Sequence, residues 1–327
     1  MTETIPSQEK PKKIKKLQTK NPNKESENST TAENINLDKI ADLVELIRTN
    51  DDELIKTEVQ KHLIKIKSKY NLEQYITLIL YDNCDSISTF HANSIYNEAS
   101  TNAKQKNIYL LLHSGGGKIE PAYLISKTCK SLTQEKFIVA VPRRAKSAAT
   151  LISLGADEIH MGLMSELGPI DPQIGGYPAL GLANALNKLA ELSSKFPQSS
   201  DMFASYLTKN LNLRDLGYFE RVSESASQYG ERLLRGKQLP APNTPESLAD
   251  HFVNHYKDHG FVIDIDEARK LLGNNIIKSD TQEYQCANEV YSFLNFFEFA
   301  LDRLVSKEFY YVGSFENGLS LRAKTEK

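Results

Sequence analysis

The sequence predicts an α/β protein built on a mainly parallel sheet, with helical additions before and after it. Three observations carry this. Continuous apolar runs recur at Tyr75 to Tyr81, Ile108 to Leu112 and Phe137 to Val141. Helix-patterned segments separate them, over residues 92 to 105 and Ile119 to Leu132. The turns leaving the second and third runs are unusually rich in glycine, serine and alanine. Strands that are apolar throughout, rather than alternating, belong to sheets covered on both faces.

In chain order, residues 1–34 are polar and carry Lys10, Lys12, Lys13, Lys15, Lys16, Lys20 and Lys24. They are expected to form a disordered basic tail. Residues 35–72 are expected to be a helical extension. Leu37, Ile40, Leu43 and Ile47 form one stripe, and Leu54, Val59, Leu63 and Ile66 a looser one. The core is expected over 73–180, with a helix at Ala148 to Leu154 and a short strand at Glu158 to Met161. Residues 181–327 read as a mostly helical part that completes and decorates the core. Its last helix, 288 to 305, carries Val290, Phe293, Leu294, Phe297, Leu301 and Leu304 on one face.

Composition removes several function classes. The net charge of −2 supplies no field toward nucleic acid or anionic membrane, leaving only a weak role for the basic tail. No run approaches the ~20 apolar residues of a membrane helix. The N-terminus lacks the apolar centre of a signal peptide, so a cytoplasmic location is expected. Cys84, Cys129 and Cys286 lie far apart without metal-ligand spacing, so neither a disulfide framework nor a metal site is expected.

The chemistry concentrates in two turns. The first is His113-Ser114-Gly115-Gly116-Gly117-Lys118. It fails the dinucleotide fingerprint, because Glu120 stands where the third glycine belongs. It also fails the P-loop pattern, because Leu112 replaces the first glycine and Ile119 follows Lys118. No cofactor is expected. The second turn is Ala145-Lys146-Ser147-Ala148-Ala149-Thr150. Both turns follow parallel strands and so share the carboxyl edge of the sheet, where open α/β folds bind ligands. Ser147 supplies a hydroxyl nucleophile. The backbone N–H groups of Gly116 and Ala148, with Gly115 in the same turn, supply an oxyanion hole. The plainer alternative is that Ser147 only caps a helix.

SGGG, then AKSAATLISLGADEIHMG, then SELGPIDPQIGG, resembles the serine dehydrogenase proteinase family. That family lies in the Clp-protease and crotonase fold group, which includes signal peptide peptidase A. The resemblance is strong over residues 73 to 180, weaker to about 272, and absent from the first 70. It implies stacked βαβ units, a serine peptidase acting on peptides or unfolded protein, and a homo-oligomer. It places Ser147 on the nucleophile, Gly115 to Gly117 on the oxyanion loop, and Ser165 to Gly176 along the peptide groove.

The resemblance also exposes a departure. Where the Clp-type pattern has its histidine, this sequence has Asp171. Membrane-associated relatives use lysine, for which Lys188 and Lys195 are candidates. Lys146 is disfavoured because it adjoins the serine and the two side chains diverge. Histidine bases are open at His259, His113 and His160, and His259 and Lys188 rank first. Ser-Lys, Ser-His and Ser-Asp arrangements all remain open at this level. So does a catalytically inactive peptide-binding scaffold. Acyl-CoA chemistry ranks low, since a nucleophilic serine is not what it requires.

Overall fold

The computed structural model describes residues 35–174, 177–210 and 213–324. The expected basic tail, residues 1–34, lies outside the described residues. The chain opens with α1 (Ile40–Arg48) and α2 (Asp52–Lys69). A βα series follows: β1 (Tyr75–Asp82), α3 (Thr89–Ser100), β2 (Asn107–Ser114), α4 (Ile119–Leu132), β3 (Phe137–Val141), β4 (Arg144–Ala145), α5 (Ala148–Leu154) and β5 (Glu158–Met161). Short strands β6 (Glu166–Leu167), β7 (Gln173–Ile174) and β8 (Tyr177–Pro178) lead to helices α6 (Ala179–Lys195), α7 (Ser200–Asn210), α8 (Leu213–Leu234), α9 (Pro245–Asp250) and α10 (Ile265–Leu272). The chain ends with β9 (Ile277–Lys278), α11 (Gln282–Val305), β10 (Lys307–Ser314) and β11 (Leu319–Ala323).

The main sheet runs β11-β10-β1-β2-β3-β5-β9. Its central strands are parallel, as the apolar runs predict. A second tier rises at its carboxyl end. There β4 pairs with the last residue of β2, Ser114 against Ala145, and β6 pairs with β4. Successive strand residues face opposite sides. Leu78, Leu80, Leu110, Leu112, Val139 and Val141 pack into one core, under α3, α4 and α5. Ile79, Tyr81, Tyr109, Leu111, Ile138 and Ala140 pack into the other, under α1, α2 and α11. Each face therefore needs a helical cover, and this is why the helices of both chain ends are integral to the fold.

The structure decides or changes three expectations. The Phe293/Phe297 face of α11 and the helices of 36–70, for which the sequence leaves core packing and subunit contact both open, bury one another, with Phe297 fully enclosed and Phe293 packed against His62 at 4.4 Å between ring centroids. Ile40, placed on the inward stripe of α1, is exposed. The C-terminal part is not wholly helical, because β10 pairs antiparallel with β1, Tyr81 opposite Tyr311. Phe309 and Tyr311 alternate inward along β10, and Asn317-Gly318 turns the hairpin. Those two signals were present in the sequence. No helix among the described residues is long and apolar enough to cross a membrane.

Candidate active site

The glycine turn after β2 is built against its neighbours. Gly117 pairs in parallel with Ile87, through Ile87 N–H to Gly116 C=O and Lys118 N–H to Ile87 C=O, both 2.9 Å. A Cβ on Gly117 would lie 2.2 Å from the Ile87 nitrogen, and its φ is +154°. A Cβ on Gly116, at φ +108°, would meet the Ser147 Cβ and the Lys146 carbonyl at 2.8 Å. Glycine is the residue that permits this approach. The turn therefore backs directly onto the serine. Gly115 has no such need, since a Cβ there meets nothing within 4 Å.

Ser147 occupies the N-cap of α5 at φ 53°, ψ −118°, a region that non-glycine residues rarely enter. Such strain costs roughly 1–3 kcal/mol and is kept where the surroundings over-determine it. Here Lys146 N–H bonds Ser114 C=O at 3.1 Å, and Leu151 N–H bonds Ser147 C=O at 3.2 Å. The Thr150 hydroxyl bonds Ala145 C=O at 2.6 Å and accepts from Gly168 N–H at 2.9 Å. The Ser147 hydroxyl, however, makes no capping hydrogen bond. The capping explanation thus loses its support, and the hydroxyl faces a cleft of about 780 Å³.

His259 lines the same cleft. Its Nδ1 lies 2.6 Å from Asp171 Oδ1. Asp171 is buried, and its Oδ2 accepts from Gln173 Nε2 at 2.9 Å. The other oxygen of the carboxylate is thus turned to the imidazole. The tertiary structure thus brings together two residues that the sequence offered as rival bases.

The loop bearing His259 is held from the serine's own strand. Lys146 Nζ donates to Phe261 C=O at 2.9 Å and pairs with Glu166 at 2.8 Å. Ile263 and Leu167 exchange backbone hydrogen bonds at 2.9 and 3.1 Å. Tyr256 stacks on Phe261 at 4.7 Å. Lys146, disfavoured as a base, is therefore a tie between the serine strand and the histidine loop, a role that adjacency in sequence hides.

The other candidates fall away from the cleft. Lys188 is exposed on α6 and pairs with Glu191 at 3.0 Å, and Lys195 is exposed. His113 is buried between Tyr81 and Tyr291, and burial, with Arg144 and Arg143 nearby, pushes its pKa down to about 3. His160 bonds Thr281 Oγ1 at 2.6 Å, away from the cleft, and burial lowers its pKa. Cys84 does line the cleft, but burial pushes its thiol up to about 12, which keeps it protonated and a poor rival nucleophile.

The N–H groups of the two turns differ in their partners. Gly116 N–H is occupied by Ser114 Oγ at 3.1 Å. The parallel pairing to Ile87 uses Gly116 C=O and Lys118 N–H, and so leaves Gly117 N–H unused by that ladder. Ala148 N–H opens α5, where the first N–H groups have no intrahelical acceptor. Its nitrogen lies 3.2 Å from the Cβ position of Gly116. Gly117 and Ala148 are the donors this geometry leaves free.

One uncharacterized protein of Methanocaldococcus jannaschii is 29% identical over 188 residues, 58% of this chain and 59% of that protein. A second from the same organism is 38% identical over 84 residues, 26% of this chain and 28% of that protein. The chain thus spans well under two thirds of these relatives' lengths. Two structures of a membrane-bound stomatin-specific protease, both alanine mutants and one with a substrate peptide, cover 59% and 61% of this chain. They cover 75% and 73% of their own chains, at TM-scores of 0.37 and 0.39 and 14% identity. Residues 84–196, from the loop after β1 to the end of α6, match the family model of the ClpP-like SDH-type serine proteinases.

Proposed function

We propose that the protein is a serine peptidase with a Ser147–His259–Asp171 triad. His259 Nε2 accepts the proton of Ser147 Oγ as the oxygen attacks a peptide carbonyl. The tetrahedral oxyanion is held by Gly117 N–H and Ala148 N–H. His259 then gives the proton to the leaving amine, and water hydrolyses the acyl-enzyme through the same base. Asp171 fixes the Nδ1–H tautomer and stabilises the imidazolium. The observation that carries this reading is the 2.6 Å His259–Asp171 contact at the cleft that a non-capping Ser147 faces. The reading extends to a cytoplasmic, homo-oligomeric enzyme acting on peptides or unfolded protein.

The test is active-site labelling with a fluorophosphonate probe. Wild type should label, Ser147→Ala should not, and His259→Ala should label at least ~100-fold more slowly. Labelling that persists in Ser147→Ala overturns the nucleophile. A wild type that binds unfolded casein but neither labels nor cleaves it identifies a peptide-binding scaffold instead. This second reading is favoured by one observation: the Ser147 hydroxyl forms no hydrogen bond to His259.

A further inference from the structure

Arg144 stands three residues before Ser147 and forms a wall of the Ser147 cleft. The same side chain, with Asn83, also lines a second cavity of about 500 Å³ on its other side. Its neighbour Arg143 is satisfied within the fold. Arg143 donates to Pro142 C=O and to Asn288 Oδ1, and its guanidinium lies 4.6 Å over the Tyr291 ring. Arg144 is not. It donates from Nη2 to the neutral amide oxygen of Asn83 at 2.7 Å, and its buried Nε has no acceptor. Among the described residues it forms no ion pair.

Glu166, Asp264 and Glu298 bond other groups. Glu166 pairs with Lys146. Asp264 accepts from Asp266 N–H and Glu267 N–H at 3.1 and 2.9 Å, capping α10. Glu298 accepts from Asn83 Nδ2 at 2.8 Å, which fixes the amide so that its oxygen meets Arg144. A guanidinium whose fork is matched to carboxylate, but which is held by one amide, is under-satisfied at a wall shared by two cavities. Leu163, Met164 and Val262, exposed by 94%, 69% and 52%, line the second cavity beside it.

We propose that Arg144 is the specificity-determining residue of the cleft, and that the second cavity is a substrate subsite for a carboxylate next to an apolar side chain. The carboxylate comes from an Asp or Glu side chain of the bound peptide or from the peptide's own C-terminus. The Asn83 oxygen is the neutral stand-in that such a carboxylate displaces. This inference rests on the cleft binding peptide, and it does not require that the peptide be cut.

The experiment measures fluorescence anisotropy of labelled hexapeptides binding to the Ser147→Ala protein. Four versions are compared: Glu or Gln at an internal position beside leucine, each with a free or amidated C-terminus. A carboxylate should tighten binding at least ~10-fold over its amide, the preference should weaken with salt, and Arg144→Gln should abolish it while Arg144→Lys retains part. Preference for Glu irrespective of the terminus identifies a side-chain subsite. Preference for the free terminus identifies a C-terminal one. Equal affinity of all four peptides, or a preference that survives Arg144→Gln, overturns the proposal. If Arg144→Gln does not fold, the carboxylate-to-amide ratio and the Arg144→Lys variant decide it. A carboxylate preference in a protein that never labels would remove the peptidase reading and leave this one standing. Labelling without any preference would do the reverse.

Discussion

His259 Nδ1 and Asp171 Oδ1 meet at 2.6 Å across 88 positions of sequence, at the cleft that Ser147 faces. In the triad proposed above, the carboxylate holds the imidazole in the tautomer whose Nε2 can accept a proton. Asp171→Asn keeps the shape and loses that control. It should lower kcat by about 10³–10⁴-fold while leaving peptide affinity within ~3-fold, as read in steady-state hydrolysis. An Asp171→Asn protein with wild-type kcat would remove Asp171 from the triad.

The glycine turn separates into one tolerant and one intolerant position. Gly117→Ala places a methyl 2.2 Å from the Ile87 nitrogen at φ +154°. It should push the 83–87 segment away, destabilise the fold by roughly 2–4 kcal/mol, and abolish labelling. Gly115→Ala meets open space. Its unfolding free energy should stay within about 0.5 kcal/mol of wild type. Equal behaviour of the two variants in urea titrations would contradict the packing described.

Lys146 ties the histidine loop to the serine strand through Phe261 C=O and Glu166. Lys146→Met retains the aliphatic stem and removes the tie. It should cost about 1 kcal/mol of stability and slow labelling ~10–100-fold, because a misplaced base loses much of its effect. Lys146→Arg should recover part of the rate. A Lys146→Met protein that labels at the wild-type rate would show that the loop holds its place without it.

Acid should destabilise the fold through its buried histidines. The His113 pKa falls from 6.5 to about 3, and burial lowers His62 and His160 in the same direction. Between those values the unfolded chain binds a proton that folded His113 refuses. The contribution is therefore fully present above pH 6.5 and is lost as pH drops toward 3. His113 alone corresponds to a loss on the order of 3 kcal/mol by pH 4. His113→Phe keeps an aromatic ring between Tyr81 and Tyr291 and should flatten the profile between pH 6.5 and 4. Parallel wild-type and variant profiles in chemical denaturation would contradict this.

Local residue pattern determined the sheet and the two turns. Continuous apolar runs require a sheet covered on both faces, and three glycines against a small-residue serine turn record a close backbone approach that only those residues allow. The C-terminal hairpin was also legible, in the alternation around Phe309 and Tyr311 and in Asn317-Gly318, although the helical periodicity before it drew the reading toward helix. The base could not be chosen from the sequence. Lys188 and His259 carry equal chemical credentials as letters, and what separates them is position. One is solvated on α6 beside Glu191, and the other is folded back onto Asp171. Likewise Gly116 and Gly117 differ only in where the Ser114 hydroxyl and the Ile87 ladder direct their N–H groups. Hydrogen bonds of this kind join residues distant in the chain, so only the tertiary structure decided which of the candidate groups face the serine.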